Sequence, residues 1–261
     1  MLTRRQLLAS AWAAVLLPPR GARAAVEQKT GTYTAEVELL YGVMSFRLTG
    51  TSEEAVDRAR GRYAVKLAGQ GDGITNAVES NGVLRAGRWA PVRTHSVFVV
   101  QGREAQVDVA YDYDQRTVAY KSRSETFFLR RLRVADDVVA IPHGLHVDDV
   151  ISATLNYADE RWPAQADGRL LTHVVRRRRP SGEGPDDIQK TYRAELVPFV
   201  LKVVPDPETG RPSALFDLTR FSSWARESRP ARIVFDARRR PATITSSLIL
   251  GTSVNIRLAS T

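Results

Sequence analysis

Apolar and polar residues alternate through Tyr33, Ala35, Val37 and Leu39, with Thr34, Glu36 and Glu38 between them, and again through Met44, Phe46 and Leu48. A period of two places every second side chain on one face of an extended strand, so a chain made of such runs folds as a sheet with one dry face. Tyr41-Gly42 separates the two runs and predicts an N-terminal hairpin. Tyr63, Val65 and Leu67 repeat the pattern up to Gly69-Gln70-Gly71-Asp72-Gly73, where glycines supply the positive φ of a reversal. Ser80-Asn81-Gly82-Val83 carries an Asn-Gly hairpin signal. Val97–Val100, Ala105–Tyr113 and Thr117–Ser122 follow as strands, separated by Gln101-Gly102 and Tyr113-Asp114-Gln115-Arg116. Thr51–Arg60, crowded with Glu53, Glu54, Asp57, Arg58 and Arg60, reads as a solvated connection.

One stretch is helical. Asp148 caps a helix that runs to Ala158, with Ile151, Leu155 and Ala158 on the side that rests on the sheet. Beyond it Leu170–Val175, Thr191–Leu196, Phe199–Val204, Ala231–Asp236, Ala242–Leu250 and Ser253–Leu258 read as strands, and Pro180–Asp187 and Pro205–Pro212 as loops. Trp162 and Trp224, at junctions between elements, together with Tyr157, are expected to be buried anchors tying helix to sheet. No repeat and no domain linker is visible.

Residues 1–24 have the form of a signal peptide: Arg4-Arg5, an apolar run from Leu7 to Leu17 too short to span a bilayer, and Ala22-Arg23-Ala24 as the cleavage pattern. Thr3-Arg4-Arg5-Gln6-Leu7-Leu8 matches a twin-arginine signal, with an ordinary secretory signal as the alternative. Either places residues 25–261, as one β-rich domain, in the periplasm. The chain has no cysteine, which excludes disulfides, thiolate metal ligands and a lipidated N-terminal cysteine. No later run is long and apolar enough for a transmembrane helix, the densest, Val197–Val204, being broken by Pro198 and Lys202. Without the leader's Arg4, Arg5, Arg20 and Arg23, the formal charge of +9 drops to +5. That residual charge outside the cytoplasm points to anionic envelope lipids or polymers rather than nucleic acid.

Asp149-Val150-Ile151-Ser152-Ala153, then Arg239-Arg240-Pro241-Ala242-Thr243-Ile244, and the terminal Leu250-Gly251 turn with Val254, Ile256 and Leu258, resemble a family of exported bacterial proteins, domain of unknown function 3108. The resemblance implies a mainly β fold: a single curved antiparallel sheet, a half-open barrel similar to periplasmic lipoprotein carriers, with one helix packed on the concave side. The chain departs from the family at Asn156-Tyr157-Ala158, where leucine and arginine usually continue the helix. The family brings no established reaction.

Pro142-His143-Gly144-Leu145-His146-Val147-Asp148-Asp149 holds the residue types of a metal site. His143, His146 and Asp148 are the candidate ligands, and His95 or His173 a distant partner. The competing and preferred reading is a loop that leads into the helix. Arg176-Arg177-Arg178-Arg179 and Arg239-Arg240 sit at strand ends before Pro180 and Pro241, either as a patch that grips lipid phosphates or as solvated tips. No nucleophile elbow, His-Glu-x-x-His helix or phosphate loop occurs, and adjacent acidic pairs such as Asp148-Asp149 point apart rather than flank a bond. The expectation is a non-enzymatic periplasmic protein without a cofactor. It holds an apolar ligand, lipid or acyl chain, in the curved sheet, with Ile151, Leu155, Tyr157 and Ala158 in the pocket wall. The alternatives are an envelope scaffold that pairs with a protein partner through a sheet edge and a hydrolase of an envelope polymer.

Overall fold

The computed structural model describes residues 26–39, 41, 44–126, 128–180, 182–184, 186–219, 229–248 and 252–260. The leader, the Phe221–Trp224 junction and the Leu250-Gly251 turn lie outside them. Fourteen strands form one sheet: β1 (Glu27–Leu39), β2 (Met44–Asp57), β3 (Arg62–Gly71), β4 (Ile74–Arg85), β5 (Arg88–Val100), β6 (Arg103–Asp112), β7 (Thr117–Glu125), β8 (Leu132–Ala140), β9 (Leu170–Arg177), β10 (Ala194–Pro205), β11 (Pro212–Phe216), β12 (Ala231–Phe235), β13 (Pro241–Ser247) and β14 (Ser253–Ser260). Their order is 8-7-6-5-4-3-2-1-14-13-12-11-10-9, so strands consecutive in sequence pair antiparallel except β8 and β9, which stand at the two ends of the order, and β1 pairs with β14. Two meanders thus meet along the joined chain ends.

Several turns use the residues that the sequence suggests. Gly73 (φ 68°) closes β3–β4 and Gln101-Gly102 (φ 50° and 70°) closes β5–β6. Asn81-Gly82, however, is no turn. It lies inside β4, where the register with β5 shifts by one residue. A Cβ on Gly82 would come within 2.2 Å of the Ala90 carbonyl and 2.4 Å of the Tyr63 ring, so glycine is there for close approach. The reversal falls at Ala86-Gly87, φ 48° and 80°.

Thr51–Arg60 is likewise mostly strand, because its charges have partners across the sheet. Glu53 faces Lys66 on β3, and Glu54 receives both terminal nitrogens of Arg240 at 2.9 and 2.8 Å. Pro198, expected to break its run, sits within β10. There β10 pairs with β9 through residues 194–201 and with β11 only through 202–205, so one edge at Pro198 needs no donor.

The sheet nearly closes into a barrel. β8 at one end of the strand order is met by the segment leading into β10: Ala135 bridges Tyr192, the Ala194 amide donates to Asp137 Oδ2 at 2.9 Å, and Arg193 pairs with Asp137 at 3.2 Å. Behind this seam Val109, Tyr111, Val118, Tyr120, Ile141, Val147 and Tyr192 form one apolar cluster.

The one helix among the described residues, α1 (Val150–Ala158), touches two remote parts of the sheet. Ile151 and Leu155 pack with Val56, Tyr63, Val65 and Trp89 of β2, β3 and β5. Ala153 and Tyr157 pack with Leu170, Leu201, Ala214 and Phe235 of β9 to β12.

On the opposite face of β2 to β8, Glu53, Lys66, Glu79, His95, Asp108, Lys121 and Asp136 stand directly across from one another on seven consecutive strands. Lys66–Glu79, His95–Asp108 and Lys121–Asp136 close at 3.1, 2.7 and 3.4 Å. A charged row in mid-strand is costly against lipid, so this is a water-facing surface. Among the described residues no helix is long and apolar enough to cross a membrane.

Candidate functional site

The N-terminus of α1 is held by a buried polar network. Asp149, not Asp148, is the N-cap: its Oδ1 accepts from the Ser152 amide at 2.6 Å while Ser152 Oγ accepts from the Asp149 amide at 3.0 Å. Its Oδ2 accepts from Ser80 Oγ at 2.5 Å and from Thr94 Oγ1, tying the cap to β4 and β5. Asp148 turns the other way, as adjacent residues in extended backbone do. Ser152 Oγ and Asn156 Nδ2 donate to its Oδ1 at 2.8 and 2.9 Å, and Thr172 Oγ1 and an Arg88 terminal nitrogen to its Oδ2 at 2.5 and 3.0 Å. Burial alone would raise the Asp148 pKa, but the hydrogen bonds from His146 and Thr172 and the Arg88 charge hold it below the usual carboxylate value. Asn156 closes the network on the Trp89 backbone, accepting from its N–H at 2.7 Å and donating to its carbonyl at 2.8 Å. These bonds place the helix; every Asp148 oxygen is occupied by donors.

That occupancy bears on the candidate metal ligands. His146 Nε2 lies 3.0 Å from the Trp89 carbonyl and 3.2 Å from Asp148, and His143 is exposed on the loop. Among the described residues no group of three or more His, Cys, Asp or Glu could hold a metal.

Of the helix residues expected in a pocket wall, Ile151, Leu155 and Tyr157 are buried against the sheet, and Ala158 is half-buried. The Tyr157 ring lies 4.3 Å from that of Phe235 at a tilt of 42°, with the Arg239 guanidinium 4.8 Å from its centroid. Trp162 is buried beside Phe199 at 6.4 Å, as an anchor should be. The helix leaves Val150 uncovered, 69% exposed.

An open region lies one step along the same face of the sheet. Val65, Ser80, Val109 and Tyr120 stand in register there and are buried. The next level on that face, Leu67, Val78, Ser96, Val107 and Ser122, is only half-buried. So is the level beyond it, Asn76, Ala105 and Ser124, in which Phe98 is 42% exposed. At the level after that, Leu48 and Ile74 are buried again with Tyr33 and Phe46. Small side chains at Ser96, Ala105, Ser122 and Ser124 leave these two levels of β5 to β7 less covered than their neighbours, a half-buried strip on the core-bearing face. Tyr33 bounds it, lying over Gly50 and Gly69 with its hydroxyl bonded to Asn76. Two other grooves, of about 800 and 620 Å³, are open to solvent and include none of the predicted ligand residues.

The register sets the two arginine runs at opposite ends of their strands. Arg176 and Arg177 end β9 opposite Glu195 and Ala194, with Arg178 and Arg179 just beyond, whereas Arg239 and Arg240 sit in the β12–β13 turn beside the β10–β11 end. Arg177 binds Glu183 with two nitrogens at 3.0 and 2.7 Å, Arg176 binds Glu195 at 2.5 Å, and Arg178 is largely exposed with Glu195 at 4.0 Å. Arg179 lies 3.8 Å from Glu183, Arg239 pairs with Glu160 and Arg240 with Glu54. Sequence reasoning missed Arg88, Thr172, Glu183 and Phe98; Arg88 and Thr172 act through Asp148, 60 and 24 residues away, Glu183 gathers arginines from both sides of its loop, and Phe98 reads as one more core residue until its level is seen to be half-buried.

No family model matches the chain, and no curated protein matches it. Among solved structures it is similar to a β-barrel-like protein of domain of unknown function DUF1849 from Brucella abortus, at 12% identity and a TM-score of 0.38, covering 91% of this chain and 100% of that one.

Proposed function

We propose that the chain is an exported, non-enzymatic carrier that holds an apolar chain, a lipid or acyl group, in the trough beside α1. The observation that carries this reading is the pair of half-buried levels through Val78, Val107 and Phe98. These residues share the face of a nearly closed sheet that carries the core, yet water reaches them. An apolar concave strip of this kind is covered at a gain of about 25 cal/mol per Å². In this reading α1 rests on the concave side, filling one half of the barrel and leaving the other for the ligand. The leader and the kinship to the exported family of domain of unknown function 3108 belong to the same proposal, supported by Arg4-Arg5 and by the order of elements. Native mass spectrometry of the chain purified from cells without detergent tests it. A population heavier by one lipid or fatty acid is expected, and bare protein in repeated preparations would refute it.

A second reading, docking of an envelope protein along β8, is favoured by Leu132, Val134 and Val138, exposed on its water-facing side next to Phe128 and Leu129. Crosslinking from position 138 in cells would trap that partner, and an absence of crosslinked species would remove it.

A further inference from the structure

We infer that the bound chain is an amphiphile with one anionic head, and that Arg133, Arg177 and Arg179 receive that head at the barrel seam. The inference rests on the carrier reading and adds the ligand's class. The level that holds Phe98 continues across Ala105 and Ser124 directly to Arg133 on β8. The strip therefore ends at Arg133, whose guanidinium donates to the carbonyls of Gly184 and Asp187 on the adjoining loop. Arg133 is not alone: Glu183 on the adjoining loop, its side chain fully buried, is approached by Arg177 at 2.7 Å, Arg179 at 3.8 Å and Arg133 at 3.9 Å. Among the described residues, three guanidiniums thus surround one carboxylate.

Backbone carbonyls share these guanidiniums with Glu183. Arg133 donates to those of Gly184 and Asp187, and Arg179 to those of Thr219 and Glu183. Of the nearby acids, Asp186 accepts from the amides of Phe128 and Leu129 and also feels the charge of Arg133, and Asp187 accepts from the amide of Gly184. Burial lowers the pKa of Arg179, and repulsion from Arg176, Arg177 and Arg133 adds to that against the pull of Glu183. A second negative group would relieve this repulsion. The three side chains keep 10–21% of their surface exposed, so the cluster is not sealed. Planar guanidinium forks bind carboxylate and phosphate oxygens in pairs, so either head satisfies the chemistry.

The test measures affinity of the full chain for three ligands with the same acyl chain: the free fatty acid, the lysophosphatidic acid and the uncharged monoacylglycerol. At least one anionic ligand should bind ten-fold or more tighter than the monoacylglycerol, and the stronger of the two identifies the head. That advantage should shrink on raising salt and fall at least five-fold in Arg179→Gln, with monoacylglycerol binding unchanged. The salt series needs no variant and reads the same interaction if Arg179→Gln folds poorly. Equal affinity for charged and uncharged ligands would overturn the head-group inference while leaving the carrier reading intact. Failure of all three ligands to bind would overturn both.

Discussion

Asp148 shows what a single buried side chain does here. Replacing it by alanine leaves Arg88, Thr172, Ser152 and Asn156 without their common acceptor, and removing one partner of a buried charged network costs about 3–5 kcal/mol. Urea unfolding of Asp148→Ala should show a loss of that size. The pH dependence has a definite sign. Since the folded-state pKa of Asp148 is depressed, its contribution is present above the unfolded carboxylate pKa, near 4, and disappears as pH falls through the folded value. Melting temperature should therefore fall on acidification below about pH 4, and part of that slope should vanish in Asp148→Asn. Trp162→Ala should cost about 3–5 kcal/mol through the cavity it leaves beside Phe199. A variant that melts like wild type would remove Trp162 from the anchors. Of this network only the helix start was legible, because the donors that tie Asp148 and Asp149 to the sheet at Thr94, Arg88 and Ser80 lie 55 to 69 residues away and no local pattern links them.

Among the elements, the strands were legible wherever one face is apolar and the other polar, as in β1, β3 and β7. The reading failed where a local signal has a second use. Gly82 follows asparagine, the usual hairpin pair, but serves a bulge whose tight approach to Ala90 and Tyr63 only the paired strand reveals. Gly87 sits in the real turn at φ 80°, with nothing within 4 Å of the place a Cβ would take. Gly87→Ala should therefore cost about 1 kcal/mol of backbone strain, and Gly82→Ala distinctly more because backbone and ring must both move. Thermal melts of the pair compare the two directly, and a larger loss at Gly87 would show that the bulge yields easily. β2 was hidden by its own charges, since Glu54 looks solvated until Arg240, 186 residues on, is brought to it.

For the whole molecule, local hairpins build a long sheet, and the sheet's near closure creates an interior that no hairpin has by itself. The seam cluster of Tyr111, Tyr120 and Tyr192 fills part of that interior, and Phe98 stays 42% exposed on the core-bearing face. The curvature was legible only through resemblance, whereas the trough follows from small residues across β5 to β7, Ala105 and Ser124 at one level and Ser96 and Ser122 at the level beside it. Binding of a fluorescent fatty-acid probe to wild type and to Ser96→Trp and Ser122→Trp, which fill that level, tests the account most directly. One site per chain with blue-shifted emission is expected in wild type, lost or weakened at least ten-fold in both variants at unchanged secondary structure. Wild type that leaves the probe in water, or filled variants that bind it equally well, would contradict the claim that this trough is the binding site.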